Sequence, residues 1–201
     1  MPARKTDESP VYQLKVTLKE SKPPIWRRIQ VRGSTTLAKL HQVLQVVMGW
    51  TDSHLHQFIV GGVYFGVPDP EWDLEVKSER RVQLAQVLPD VKNRLVYEYD
   101  FGDSWAHELI VEKILPPEPG VRYPRCLAGK RACPPEDCGG VPGYCQILEA
   151  LAEPEAEEHE ELLAWVGDDF DPERLDLDAI DRQLMGLGTR RRRGGRSRHG
   201  R

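Results

Sequence analysis

The sequence predicts an α+β protein, with a mainly antiparallel sheet, helices packed on one face of it and further helices at the C-terminus. Residues 11–20 alternate apolar and polar side chains, which is the period of a half-buried strand. Residues 37–47 switch to the spacing of an amphipathic helix. Strand patterns then dominate the middle of the chain and helical patterns its end, and this segregation favours α+β over alternating βαβ units.

The N-terminal part of the sheet is predicted from two strands joined by a turn that contains proline. The first strand covers residues 11–20, and the second covers residues 25–31 antiparallel to it. The helix that follows has apolar side chains at helical spacing from Leu37 to Val47. His41 lies on the flank of this helix, where the pattern predicts an ordinary solvated or core-edge residue.

The next segments are predicted as strands with one short helix. Residues 54–67 are rich in β-forming side chains, and the glycines at 61 and 62 favour a tight turn between two strands. Residues 81–90 fit a short helix that ends before Pro89.

Residues 94–115 carry the clearest hairpin pattern of the chain. Two β-rich runs flank Gly102 and Asp103, and glycine permits the positive φ of a tight two-residue turn. In that register Glu98 faces His107 across the pair. A different loop length would shift every pairing and exchange the two faces.

An irregular segment and three helices complete the predicted order. Residues 116–143 lack a regular period, and helical patterns return at 143–152 and 156–167. Asp171 or Asp176 is expected to cap the start of a third helix.

The bulk composition fits one globular domain. The chain has 201 residues, of which 39% are hydrophobic and 30% charged. We place a single α+β domain at residues 11–186 and expect disordered segments at 1–10 and 187–201.

The C-terminal tail differs in charge from the rest of the chain. Residues 189–201 contain seven arginines and no acid, and subtracting these from the net charge of −4 leaves −11 for residues 1–188. A basic tail on an acidic body is typical of a segment that binds nucleic acid or of one that folds back on its own domain. In the first case Arg190, Arg191, Arg192 and Arg193 are the candidates for phosphate contacts.

The sequence favours a cytoplasmic protein without a membrane partner. No apolar run approaches the roughly 20 residues of a membrane-spanning helix. The first ten residues are charged and lack the apolar stretch of a secretory signal. In that compartment the four cysteines are expected to be reduced or metal-bound.

Three of the four cysteines lie close together in the run RCLAGKRACPPEDCGG, residues 125–140. Cys126, Cys133 and Cys138 are spaced more widely than most zinc-binding pairs, so a zinc site would need a further ligand. Two other interpretations stay open: a rigid lid of prolines and buried thiols over the sheet, or a reactive thiolate at Cys133 beside basic neighbours. The candidates for a further zinc ligand are Cys145, His54, His56, His107 and His159.

A second candidate metal site is the pair His54 and His56. Residues two apart on a strand point to one face, and this spacing permits chelation with Asp52 close by. Two half-exposed histidines on a strand would show the same pattern without a metal.

The predicted hairpin supplies candidates for acid–base chemistry. Glu98 would lie beside His107, with Asp100 near the turn, and a carboxylate beside an imidazole favours the charged histidine. Such a pair suits general acid–base catalysis. A cross-strand ion pair is the structural alternative.

Four separated motifs resemble one known family. The runs MGWTDSHLHQF, YDFGDSWAH, CLAGKRACPPEDCGGVPGY and GDDFDPERLDLDAID occur in this order. They resemble the plasmid pRi ORF-three-like family, which is named after an open reading frame on a root-inducing plasmid. The resemblance covers residues 10–185, outside the Arg-rich tail. It implies a compact α+β domain of the bacterial and archaeal cytoplasm, and it implies no catalytic residues.

These observations favour a binding domain over an enzyme, with another protein or a nucleic acid as the expected partner. One alternative is a metal-dependent, hydrolase-like enzyme with zinc, the one cofactor that the sequence suggests. The other is a nucleic-acid accessory protein linked to mobile DNA, by association with the family's plasmid name. Tryptophans would supply binding area, although most are expected in the core: Trp26, Trp50, Trp72 and Trp105.

Overall fold

The computed structural model of the chain describes residues 7–69, 75–153, 159–167 and 170–187. The predicted α+β class is confirmed. In chain order the elements are β1 (Val11–Leu18), β2 (Trp26–Arg32), α1 (Leu37–Met48), β3 (His56–Val60), β4 (Val63–Gly66), β5 (Val76–Ser78), α2 (Leu84–Val87), β6 (Arg94–Tyr99), β7 (Trp105–Leu115), β8 (Arg125–Lys130), α3 (Gly140–Ala152), α4 (His159–Val166) and α5 (Leu177–Leu187).

One eight-stranded sheet runs through the domain in the order β5-β4-β3-β6-β7-β1-β2-β8. Neighbouring strands are antiparallel except β4 and β5, which are parallel. The sheet is therefore mixed rather than purely antiparallel. The sequence did not predict β5, because a strand of three residues is too short to show a period.

The core lies between one face of the sheet and α1. Leu14 of β1 pairs with Ile29 of β2 on one side and Val111 of β7 on the other, and all three are fully buried. Leu40 and Leu44 of α1 belong to the same apolar cluster. The period-two and helical patterns of the sequence thus meet in a single core.

The hairpin of β6 and β7 has a different register from the predicted one. Tyr97 faces His107, and Glu98 faces Ala106, so the predicted pairing of Glu98 with His107 is wrong. The loop contains five residues instead of two, since Asp100 adopts φ 56° and accepts the backbone N–H of Ser104 on its carbonyl at 2.6 Å. This difference of one position places Glu98 and His107 on opposite faces.

The segment predicted as irregular, 116–143, contains the edge strand β8. This strand pairs with β2 and includes Cys126. The outer edge is partly covered by α5, because the Cys126 N–H donates to Asp181 Oδ1 at 2.8 Å. The run RCLAGK does not alternate apolar and polar residues, which is why the sequence did not predict it.

The C-terminal helices follow β8. Asp176 precedes α5, and its carboxylate accepts the N–H of Ala179 at 2.9 Å, as expected of a capping residue. Helix α5 packs against α1 and β8. In the described part of the chain, no helix has both the length and the apolar character needed to cross a membrane.

Parts of the predicted terminal segments are described. Ser9 Oγ lies 3.0 Å from Ser34 Oγ, and the Gly33 N–H donates to the carbonyl of Pro10 at 2.7 Å. Residues 1–6 and 188–201 lie outside the described residues, and so do the four tail arginines and Trp72. Trp50 and Trp105 are buried in the core, whereas Trp26 is partly exposed.

Candidate functional site

A cavity of about 450 Å³ opens beside α1 and β3, within the size range of ligand pockets. Its walls come from α1, the segment before β3, β3 itself, and the chain on both sides of β5. Titratable side chains gather here: His41, Asp52, His54, His56, Asp69, Glu79 and Arg80.

Two histidine rings stack face to face in this cavity. The ring centroids of His41 and His56 are 3.5 Å apart, and the ring planes differ by 2°. Each ring pairs with its own carboxylate: His41 Nε2 lies 2.7 Å from Asp52 Oδ1, and His56 Nε2 lies 3.0 Å from Glu79 Oε2. Two imidazolium charges would repel at this distance.

A buried hydrogen-bond network determines the tautomer of His41. The Asp52 N–H donates to Gln45 Oε1 at 2.9 Å, so the Gln45 amide directs its NH₂ to the Tyr97 hydroxyl at 3.0 Å. The Tyr97 hydroxyl then donates to His41 Nδ1 at 2.9 Å. His41 therefore carries its proton on Nε2 and donates it to Asp52.

Burial lowers the pKa of His41, and the charge of neighbouring His56 lowers it further. The hydrogen bond from His41 to Asp52 opposes both effects. The ring is consequently neutral at physiological pH.

The second pair, His56 and Glu79, is more enclosed. Their side chains are 9% and 5% exposed. The backbone N–H of Glu79 donates to Gly66 at 3.1 Å, and its carbonyl accepts the N–H of Ala38 at 3.4 Å. These two bonds fix Glu79 between the end of β4 and the start of α1.

The stacked pair does not hold a metal ion in this arrangement. An ion between the rings would lie about 1.8 Å out of both planes, which is half of their 3.5 Å separation. An imidazole lone pair lies in the ring plane and coordinates zinc at about 2.0–2.1 Å. Although Asp52 completes a group of three converging ligand atoms, coordination would require one ring to leave the stack.

A second group of three converging ligand atoms consists of His54, Asp100 and Asp137. Both His54 and His56 line the cavity, but the structure assigns them to different groups. The prediction placed both histidines on one strand, but His54 lies outside it, because β3 begins only at His56.

The three clustered cysteines do not converge. In the described residues, neither group of three or more ligand atoms within 4.8 Å of one another contains a cysteine. Cys133 Sγ lies 3.6 Å from Met48 Sδ, and Cys138 Sγ lies 3.8 Å from the carbonyl of Gly140. Burial raises the pKa of Cys126 and of Cys133 to about 11, and burial followed by the charge of Asp103 raises that of Cys138 to about 12.

The cysteine-bearing loop, residues 131–139 between β8 and α3, is held against the sheet by other groups. The Trp50 indole N–H donates to the carbonyl of Pro134 at 3.1 Å. The Tyr99 hydroxyl donates to Glu136, and the Thr51 hydroxyl donates to the same carboxylate. These contacts fit the expectation of a rigid lid better than that of a reactive thiolate.

The acid–base candidates from the hairpin are separated. His107 is 0% exposed and lies in the core, whereas Glu98 is on the opposite face and accepts Gln57 Nε2 at 2.7 Å. Asp100 belongs to the group of His54. No acid–base pair forms between Glu98 and His107.

The sequence patterns did not predict that His41, Gln45, Tyr97 or Glu79 would belong to a site. One signal was present: His41 and Gln45 are one helical turn apart and fall in the apolar stripe of α1. Polar residues at core positions of a helix often form a buried network. Glu79 and Tyr97 carried no comparable signal.

Comparison with known proteins places the chain in a family. The family model described as plasmid pRiA4b ORF-3-like protein matches residues 10–179. "Uncharacterized protein y4hQ" of Sinorhizobium fredii is 40% identical over 182 residues, which make up 90% of this chain and 93% of that protein. A crystal structure of a protein of unknown function from Methanosarcina mazei Go1 is similar with a TM-score of 0.80 and 43% identity, over 86% of this chain and 98% of the other. The resemblance found in the four motifs is confirmed: the chain belongs to the plasmid pRiA4b ORF-3-like family.

Proposed function

We propose that the protein binds a small organic cation in the cavity beside α1, and that Asp52 recognises the charge. The observation that carries the proposal is the fixed yet open position of this carboxylate. The side chain of Asp52 is 58% exposed. Its Oδ1 accepts a hydrogen bond from His41 Nε2, and its backbone N–H donates to Gln45 Oε1. A group that is already ordered loses little conformational freedom when a ligand arrives.

The charge of the cavity supports a cation as the ligand. Its described lining contains the carboxylates of Asp52, Asp69 and Glu79, and one guanidinium, that of Arg80. Because His41 is neutral at physiological pH, it does not cancel the charge of Asp52. A concave surface with excess negative charge raises the local concentration of cations.

Apolar side chains around the charged groups support a ligand with an apolar part. Leu55 and Val67 line the cavity and are each 56% exposed. Val76 and Phe101 also contribute to its walls. Pockets of this kind combine apolar walls with a few polar groups that orient the ligand.

The test compares benzamidine, a cation with an aromatic ring, with benzamide, its neutral counterpart. We expect benzamidine to raise the melting temperature of the protein and to shift the NMR signals of the His41 ring, and benzamide to do neither. Asp52→Asn is expected to weaken benzamidine binding roughly tenfold.

Asp90→Asn is the matched control, since Asp90 is exposed and does not line the cavity. Its benzamidine affinity should equal that of the wild type. Equal responses to benzamidine and benzamide, or unchanged binding to Asp52→Asn, would contradict the proposal.

A further inference from the structure

The group of His54, Asp100 and Asp137 joins three separate parts of the chain. His54 precedes β3, Asp100 begins the loop between β6 and β7, and Asp137 lies on the cysteine-bearing loop. One ligand atom from each lies within 4.8 Å of the other two. This group is separate from the stacked histidines of the proposed cation site, which pair with two other carboxylates, those of Asp52 and Glu79.

His54 Nε2 is buried and forms no hydrogen bond of acceptable geometry. Two carboxylate oxygens are nevertheless near: Asp137 Oδ1 at 3.1 Å and Asp100 Oδ2 at 3.7 Å. A buried polar atom left without a partner costs about 1–3 kcal/mol. An ion among the three atoms would satisfy all of them.

The spacing of these atoms matches a metal centre. Ligand atoms about 2.0–2.1 Å from a tetrahedral zinc ion lie about 3.3–3.4 Å from one another. The two nitrogen–oxygen separations at His54, 3.1 Å and 3.7 Å, bracket that value. The ligand atoms of His41 and His56 are also close, but their rings are stacked, so their lone pairs do not point to a common position.

The atoms of Asp100 and His54 that would not bind the ion form hydrogen bonds elsewhere, and these bonds leave the ligand atoms available. Asp100 Oδ1 accepts the N–H of Gly102 at 3.0 Å, which turns Oδ2 toward His54. The backbone N–H of His54 donates to the Tyr99 hydroxyl at 3.3 Å, and the two rings meet edge to face at 5.7 Å. Such supporting contacts orient metal ligands.

The charge and donor type of the group indicate the class of ion. Two carboxylates neutralise a divalent cation, and one imidazole favours transition metals over Mg²⁺ and Ca²⁺. Three protein ligands leave a fourth tetrahedral position for water or another small ligand. Asp137 is 69% exposed, so the position is accessible from solvent.

We propose that His54, Asp100 and Asp137 form a divalent transition-metal site, with Zn²⁺ as the best-fitting ion. The ion ties the cysteine-bearing loop to the β6–β7 loop and to the segment before β3. Zinc thus binds at the loop that the cysteine spacing suggested, but through carboxylates and a histidine, not through thiolates.

The test is calorimetric titration of chelator-treated full-length protein with Zn²⁺, and with Mg²⁺ as the comparison ion. We expect one equivalent of Zn²⁺ to bind and Mg²⁺ to bind much more weakly. His54→Gln and Asp137→Asn should each lower the Zn²⁺ affinity by at least about tenfold. Asp137 is largely exposed, so Asp137→Asn keeps the fold and remains informative if His54→Gln does not fold.

Three variants serve as controls: Asp52→Asn and His56→Gln alter the other ligand group, and Cys138→Ser alters the nearby thiol. Each is expected to bind Zn²⁺ like the wild type. Absence of Zn²⁺ binding by the wild type, or unchanged binding by Asp137→Asn, would overturn the inference. Loss of binding in any of the three controls would overturn it as well, because the ion would then lie elsewhere.

Discussion

His107 is a histidine fully enclosed by the core. Its side chain is 0% exposed, and neither ring nitrogen forms a hydrogen bond of acceptable geometry, although backbone groups of Tyr97 and Trp105 lie near. Burial lowers the pKa of His107 to about 4, and the charge of Arg27 contributes in the same direction. The ring is therefore neutral in the folded protein.

This pKa makes the folded state sensitive to acid. Between pH 6.5 and about 4 the unfolded chain takes up a proton on His107 before the folded chain does. The free energy of unfolding accordingly decreases as the pH is lowered through this window, by up to about 3 kcal/mol. His107→Gln removes the titrating group and should lose less stability in acid than the wild type.

Urea unfolding of both proteins at pH values above and below this window measures the difference. The gap in unfolding free energy between wild type and His107→Gln should narrow as the pH falls. A gap that stays constant would show that His107 is not protonated on unfolding in this range.

Arg27 illustrates a buried charge solvated by the backbone. It is 2% exposed, and its guanidinium donates to the carbonyls of Val47 at 2.8 Å and Lys130 at 3.0 Å. It also lies 3.8 Å from Cys133 Sγ. The fork of N–H donors joins the end of α1, the end of β8 and the cysteine-bearing loop, which a lysine would not do.

The contact between α3 and the cysteine-bearing loop depends on a glycine. A Cβ atom added at Gly143 would lie 1.7 Å from the carbonyl oxygen of Cys138. Gly143→Ala must therefore displace the loop or the first turn of α3. We expect a loss of about 1–3 kcal/mol in the free energy of unfolding, measured by urea denaturation.

Gly186→Ala in α5 is the matched control, since an added Cβ there meets no atom within 4 Å. Alanine is the better helix former, so this variant should gain about 0.5–1 kcal/mol. Equal effects of the two substitutions would contradict the close approach at Gly143.

The elements with a strong local period were predictable from the sequence, and those set by loop geometry were not. The alternation of β1 and β2, the stripe of α1 and the two-glycine turn at 61–62 each carried a local signal, and all appear in the structure. The β6–β7 register escaped prediction because Asp100 and Ser104 adopt positive φ without being glycine. The backbone conformation of this loop sets the register, and the register decides which face of the sheet each side chain of β6 and β7 occupies.

The candidate sites were only partly predictable, because their members come from distant elements. His54, His56 and Asp100 were singled out on local spacing. Their partners, among them His41 and Glu79, became visible only when the sheet order brought α1, β3 and β5 together. The spacing of residues along one strand does not show which distant elements will lie beside it.

The whole chain combines an acidic domain with a basic tail. Deleting residues 189–201 removes seven arginines and leaves a body with net charge −11. We expect the full chain to be retained on heparin and the truncated chain to elute without retention, because like charges repel and the tail supplies the cationic contacts.

Retention of the full chain should also fall steeply as salt increases. The matched control replaces the tail arginines with glutamine and keeps the length. If the truncated or the glutamine-substituted protein is retained like the full chain, the tail is not the polyanion-binding element.

The central position of β1 has a consequence for the order of events during synthesis. Both edges of β1 are paired, one with β2 and the other with β7, and 99 residues separate the hydrogen-bonded side chains of Gln13 and Glu112. While the ribosome makes the chain, the first hairpin emerges with the outer edges of both β1 and β2 open, because β7 and β8 come later in the chain. The edge of β1 stays open until β7 has emerged, and the edge of β2 stays open until β8 has emerged, so the nascent hairpin is exposed to pairing with other chains during that interval.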